Sequence, residues 1–189
     1  MNTALLLAAG AGRRFGGAKL LSPLADGTPL VLAAARPLRE VVEDLLVVVR
    51  PQDTALQALL TEEGLDWIPN PRPERGLGST IACAVGARRW AEGWLLALGD
   101  MPDIRPETIR RVDAAVTAGA PLAAPVHNGR RGHPVGFSAV FRDELMSLDG
   151  DRGARNVLAR NAPLMEPVRV DDPGILHDID TPGDLKREA

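Results

Sequence analysis

Leu7-Ala8-Ala9-Gly10-Ala11-Gly12-Arg13-Arg14-Phe15-Gly16-Gly17-Ala18-Lys19 closes the apolar run Ala4–Leu7. A short apolar run that ends in glycines reads as a buried strand entering a turn. Small residues let backbone N–H groups come close to an anion, and a concave set of such groups binds phosphate. Arg14 and Lys19 add charge where the outer phosphates of a triphosphate would lie. The plainer alternative is a tight strand-to-helix turn with solvated basic residues. Clustered glycines and two cations directly after the first strand favour the anion site. Two well-known phosphate loops fail on spacing. A Walker loop needs Gly-Lys followed by Ser or Thr, but Ala18 precedes Lys19 and Leu20 follows it. A dinucleotide fingerprint needs glycine where Phe15 stands.

Outward from this loop, short apolar runs alternate with longer amphipathic segments. The strands expected are Ala4–Leu7, Leu45–Val49, Trp67–Ile68, Trp94–Leu98, Leu122–Pro125, Pro134–Phe137 and Pro167–Val170. Helices are expected near Leu30–Arg39, Thr54–Glu63, Ser79–Trp90, Arg105–Ala118, Ala139–Ser147 and Ala154–Arg160. Thr28-Pro29 supplies a capping hydroxyl and a first-turn proline for the first of these. Thr181-Pro182 repeats that signal for a short terminal helix. Strand–helix alternation predicts βαβ units, a mostly parallel sheet and an α/β fold, with ligands at the carboxyl ends of the strands. Pro69–Gly78, rich in proline, glycine and arginine, reads as a loop over that edge.

The 189 residues suit a single domain, 1–189, with a sizeable core. A formal net charge of −3 argues against a nucleic-acid partner, because backbone-phosphate binding shows a basic surplus. Cys83 is the only cysteine and sits in the apolar Ile81–Val85, where an inert buried thiol is expected. Met1-Asn2-Thr3 lacks the basic flank of a signal peptide, and no apolar stretch is long enough to span a membrane. These readings predict a cytoplasmic enzyme with no membrane partner.

The pattern Leu-Ala-Ala-Gly-x-Gly-x-Arg-Phe-Gly-x-x-Lys resembles the signature of the MobA-like nucleotidyltransferases of molybdenum-cofactor biosynthesis, and most of all their cytidylyltransferase branch. Further matching segments are Gly76-Leu77-Gly78-Ser79, Leu98-Gly99-Asp100-Met101-Pro102, Arg131-Gly132-His133-Pro134-Val135-Gly136-Phe137 and Asp178-Ile179-Asp180-Thr181-Pro182-Gly183-Asp184-Leu185. The resemblance runs through nearly the whole chain. It implies a Rossmann-like three-layer sandwich of the nucleotide-diphospho-sugar transferase type. The implied activity is transfer of CMP from CTP to a molybdopterin-type phosphorylated acceptor, with Mg2+ as cofactor. A recipient molybdoenzyme is an implied partner. Guanylyl transfer from GTP, another phosphorylated acceptor, or a non-catalytic cofactor carrier are the alternatives.

Residue by residue, the resemblance implies that Ala8, Ala9, Gly10 and Gly12 line the nucleotide. Arg14 and Lys19 would sit on the phosphates, and Gly78 and Ser79 near the base and ribose. Asp100 would hold the metal, and Asp180 would match the second acidic metal position. Arg14, Lys19 and Asp100 are thus the expected catalytic residues. Guanylyl members read Leu-Ala-Gly-Gly where this chain has Ala9, and the added methyl favours the smaller pyrimidine. Met101 departs from the Gln common in cytidylyl members.

Such a transfer joins two anions, so alignment and charge neutralisation supply most of the catalysis. Mg2+ takes hard oxygen ligands, and one or two carboxylates plus substrate phosphates hold it. Asp100 follows the apolar run Leu95–Leu98 and so falls at a strand's carboxyl end. Asp180 competes with Asp178 for the second position, and its other reading is a helix-starting residue. His133 reads equally as a structural histidine or an acceptor contact. Arg72 and Arg75 read equally as solvated loop residues or anion contacts. Trp67, Trp90 and Trp94 read as core residues.

Overall fold

The computed structural model describes residues 1–10, 15 and 18–186. The sheet strands are β1 (Asn2–Leu7), β2 (Asp44–Val49), β3 (Asp66–Pro69), β4 (Gly93–Leu98), β5 (Leu122–His127), β6 (Arg130–Arg131), β7 (Val135–Ser138) and β8 (Met165–Arg169). The α-helices are α1 (Leu30–Arg39), α2 (Thr54–Glu62), α3 (Gly76–Ala87), α4 (Pro106–Thr117), α5 (Arg142–Met146) and α6 (Arg155–Arg160). The strands form one eight-stranded sheet in the order β3-β2-β1-β4-β7-β5-β6, with β8 paired to β5. β3, β2, β1 and β4 run parallel. β7 runs antiparallel to both β4 and β5, and β8 lies parallel to β5.

Side-chain alternation along β1 builds the layers. Ala4, Leu6 and Ala8 join Val31, Ala34 and Leu38 of α1, Leu56 and Leu60 of α2, and Ile109 and Val112 of α4. Leu5 and Leu7 join Ile81, Ala84 and Val85 of α3, Leu145 of α5, and Val157 and Leu158 of α6. A strand covered on both faces must be apolar throughout, and every residue of β1 is buried. The outcome is an α/β/α sandwich on a mostly parallel sheet.

Several boundaries differ from expectation for local reasons. α3 begins at Gly76 rather than Ser79 and ends at Ala87. Residue 134 lies before β7 rather than in it. Thr28 does not cap α1: its hydroxyl donates to Asp26 Oδ2 at 2.9 Å, and Pro29 takes the N-cap position. The Thr181-Pro182 signal leads to a 3-10 turn, Asp184–Lys186, instead of an α-helix. Here Asp184 Oδ2 accepts from the Thr181 N–H and hydroxyl, an acidic clamp that closes the turn upon itself.

Register places the site. Leu7 pairs with Val48 on one side and Leu98 on the other, so β1, β2 and β4 end level. Ala8–Gly10, the segment after Val49 and Gly99-Asp100 therefore emerge side by side at the carboxyl edge. The Ala8 N–H donates to Val48 O at 2.8 Å, and the Gly99 N–H to Leu7 O at 3.1 Å.

Candidate active site

Lys19 opens a 3-10 turn, Lys19–Leu21, fixed by Leu21 N–H to Ala18 O at 2.9 Å and Ser22 N–H to Lys19 O at 3.1 Å. Leu20 and Leu21 pack on the core and anchor the stem. The Lys19 ammonium donates to Asp100 Oδ2 at 2.8 Å and lies 3.6 Å from Asp180 Oδ1. The Ile179 N–H donates to Asp100 O at 2.9 Å, which pins the 178–180 segment beside β4's end. Three remote segments thus converge on one ammonium. Its side chain is 10% exposed, against 28% for Asp100 and 45% for Asp180. Asp178 is exposed and, among the described residues, makes no ion pair with Lys19.

Beside this cluster lies a cavity of about 480 Å3. One wall is Leu7, Ala8, Gly10, Lys19 and Asp100; the opposite wall runs from Arg50 through Gln52, Asp53 and Thr54 to Leu56. Ala9 is buried and is not among the lining residues. Gly12 and Arg14 lie outside the described residues. The second wall was not among the residues singled out from sequence. Its signal was position alone, since Arg50-Pro51-Gln52-Asp53 follows a predicted parallel strand at the ligand-binding edge. Arg50 is oriented by Gln52: with the amide oxygen turned toward it, Gln52 accepts from Arg50 Nε and Nη2 at 3.1 and 3.2 Å.

Gly78 and Ser79 do not line this cavity. The Gly78 N–H donates to Gly150 O at 2.8 Å, and a Cβ there would meet the Asp149 backbone at 2.6 Å. The Ser79 hydroxyl donates to Arg72 O at 2.8 Å and accepts from Asn70 Nδ2 at 3.0 Å. Arg75 pairs with Asp149 and holds that carboxyl below its ordinary range. Cys83 is partly buried, and burial pushes its thiol pKa up, as expected of an inert thiol. Trp94 is fully buried, whereas Trp90 departs from the core expectation: it is 79% exposed, with Arg89 stacked 4.6 Å from its ring centroid.

His133 enters at the same edge, just before β7. Its Nδ1 faces Leu96 O at 3.4 Å, so that nitrogen carries the proton. Burial pushes the imidazole below its ordinary pKa, while the Leu96 carbonyl, Asp100 and Asp178 pull the other way. Neutral imidazole is the favoured form.

Asp100 and Asp180 present hard oxygen donors around one cation position, which the Lys19 ammonium now fills. That donor set fits Mg2+, which takes few protein carboxylates and completes its shell with phosphate and water. No group of three or more His, Cys, Asp or Glu side chains capable of holding a metal occurs among the described residues. Two carboxylates would therefore be the main protein share of the shell.

Residues 4–164 match the model of the MobA-like NTP transferase domain. The chain belongs to this family. It is 29% identical over 187 residues to nicotine blue oxidoreductase from Paenarthrobacter nicotinovorans, covering 95% of this chain and 92% of that protein. The crystal structure of Rv0371c from Mycobacterium tuberculosis superposes with a TM-score of 0.84 at 30% identity, over 97% of this chain and 94% of that one. Rv0371c in complex with manganese gives 0.77 at 25% identity, over 98% and 93%. Family membership and the fold together make this chain a nucleotidyltransferase of the MobA-like group. No helix among the described residues is long and apolar enough to cross a membrane.

Proposed function

We propose that the chain transfers CMP from CTP to a molybdopterin-type phosphorylated acceptor and releases pyrophosphate. The observation that carries this reading is the Lys19–Asp100–Asp180 cluster bordering a cavity floored by Ala8 and Gly10. An oxygen of the acceptor phosphate attacks the α-phosphorus, and the bond from that phosphorus to the bridging oxygen of pyrophosphate breaks. The attacking phosphate is already ionised, so no general base is required.

The roles follow from where charge must be balanced. Ala8, Ala9, Gly10 and Gly12 cradle the nucleotide by their backbone, and Lys19 and Arg14 bind its phosphates. Asp100 and Asp180 hold Mg2+, which neutralises phosphate charge when bound. The manganese complex of Rv0371c supports divalent-metal use in this fold. Gly78 and Ser79 would meet the base and ribose only outside the cavity described above, because the Gly78 N–H and the Ser79 hydroxyl are already engaged. Ala9 tunes donor choice through the loop's position, in favour of CTP over GTP. The dinucleotide product would then pass to a recipient molybdoenzyme.

The likeness to nicotine blue oxidoreductase supplies a second reading, a redox reaction in the same cavity. Two carboxylates and an ammonium beside the cavity suit a divalent metal and phosphate groups, which favours nucleotidyl transfer. The deciding experiment incubates the protein with molybdopterin cofactor, Mg2+ and each of CTP, GTP, ATP and UTP, with pyrophosphate release and product mass measured. A cytidine dinucleotide is expected. A guanine product would replace the donor assignment, and no product from any triphosphate would overturn the molybdopterin-type acceptor.

A further inference from the structure

The Lys19 ammonium stands where a divalent cation would stand, 2.8 Å from Asp100 and 3.6 Å from Asp180. Resting on the reading that these carboxylates hold the metal, we propose that Lys19 is a built-in counter-ion. It keeps the metal position filled until a nucleoside triphosphate draws the ammonium onto its phosphates.

The geometry separates a fixed part from a movable one. The backbone of Lys19 is held by the 3-10 turn, and Leu20 and Leu21 are packed against the core. The four-carbon stem beyond it has rotatable bonds, and its ammonium is a compact point charge with three donors. With the side chain nine-tenths buried, the carboxylates are the ammonium's compensation for lost hydration. A dication entering alone must displace that ammonium and leave it without a partner. Like charges at such range also repel strongly in a partly buried site. A triphosphate removes both obstacles, because it offers Lys19 new oxygens and carries the metal in. Free metal should therefore bind weakly, and the metal–nucleotide complex should enter as one unit. The coupling is reciprocal by thermodynamic linkage.

The test titrates Mn2+, without nucleotide, into the full chain and follows water proton relaxation. Wild type, Lys19→Met and Lys19→Gln are compared, each with and without Asp100→Asn. Removing the ammonium should tighten Mn2+ binding by about tenfold or more, a fraction of the influence of a unit charge a few ångströms away. Adding Asp100→Asn should abolish the gain. Equal Mn2+ affinity in wild type and both Lys19 variants, with Asp100→Asn still abolishing binding, would overturn the counter-ion role and leave the metal site standing. Binding that ignores Asp100→Asn in every background would overturn both the counter-ion role and the metal-site reading beneath it. Two Lys19 variants keep the comparison valid if one of them folds poorly, as its thermal midpoint would reveal.

Discussion

The backbone N–H of Ile179 donates to the carbonyl oxygen of Asp100 at 2.9 Å, and this bond brings Asp180 to the end of β4. Alternate residues of an extended backbone point to the same side, so spacing alone does not choose between Asp178 and Asp180. Asp180 lies 3.6 Å from Lys19 Nζ, while Asp178 is exposed.

Asp100→Asn should therefore keep the fold, lower turnover about 100-fold or more, and blunt the rise in thermal stability produced by Mg2+ with CTP. Asp180→Asn should do likewise, and Asp178→Asn should do less. Turnover against Mg2+ concentration separates the three. A crippled Asp178→Asn beside a normal Asp180→Asn would reverse the second assignment.

Gly78 and Gly86 lie in the same helix but predict opposite signs. A Cβ at Gly78 would meet Asp149 backbone atoms at 2.6 and 2.7 Å, and backbone cannot swing aside as a side chain can. Gly78→Ala should cost about 1–3 kcal/mol, which is roughly 2–12 °C in a chain of this size. At Gly86 nothing lies within 4 Å of the added methyl. Gly86→Ala should gain roughly 0.5–1 kcal/mol from the lower entropy of the unfolded chain. Thermal melts of both variants check the pair. A stable Gly78→Ala would mean that the 149–150 segment does not clamp the start of α3.

Much of this was legible because it repeats along the chain. The alternation of apolar runs with amphipathic segments called for a mostly parallel sheet with helices between its strands, and Asp100 stands directly after an apolar strand. What was not legible depends on where side chains end. Thr28 looks like a capping hydroxyl, yet it is taken up by Asp26 of its own loop. Trp90 looks like core but falls beyond the end of α3, where no opposing layer covers it. Arg50-Pro51-Gln52-Asp53 reads as an ordinary turn, and only the level ending of β1 and β2 turns it toward Lys19. The meeting of Lys19, Asp100 and Asp180 carries no local signal, because it joins three segments far apart in sequence.

Donor choice should follow the loop. Ala9 is buried and does not itself line the cavity, but it stands between Ala8 and Gly10, which do. CTP should be the best donor, and Ala9→Gly should ease use of GTP. One methyl discriminates by only about 1–3 kcal/mol, so selectivity should relax without reversing. The measurement is kcat/KM for CTP and GTP in both proteins. A wild-type preference for GTP would end the cytidylyl assignment.

The last expectation concerns acid. Burial holds the His133 pKa below its ordinary value of 6.5, so the unfolded chain binds a proton there more readily than the folded one. Stability rises with pH wherever the unfolded state binds more protons. The contribution of His133 is therefore full above about pH 6.5 and is lost progressively as the pH falls below it, until the folded-state pKa is passed. His133→Gln cannot take up that proton, so its thermal midpoint should fall less steeply than wild type on acidification from pH 7 toward 5. Taking the difference between the two melting curves removes the carboxylates that titrate lower. A wild-type curve that parallels His133→Gln throughout this range would show that the imidazole is not held neutral against Leu96.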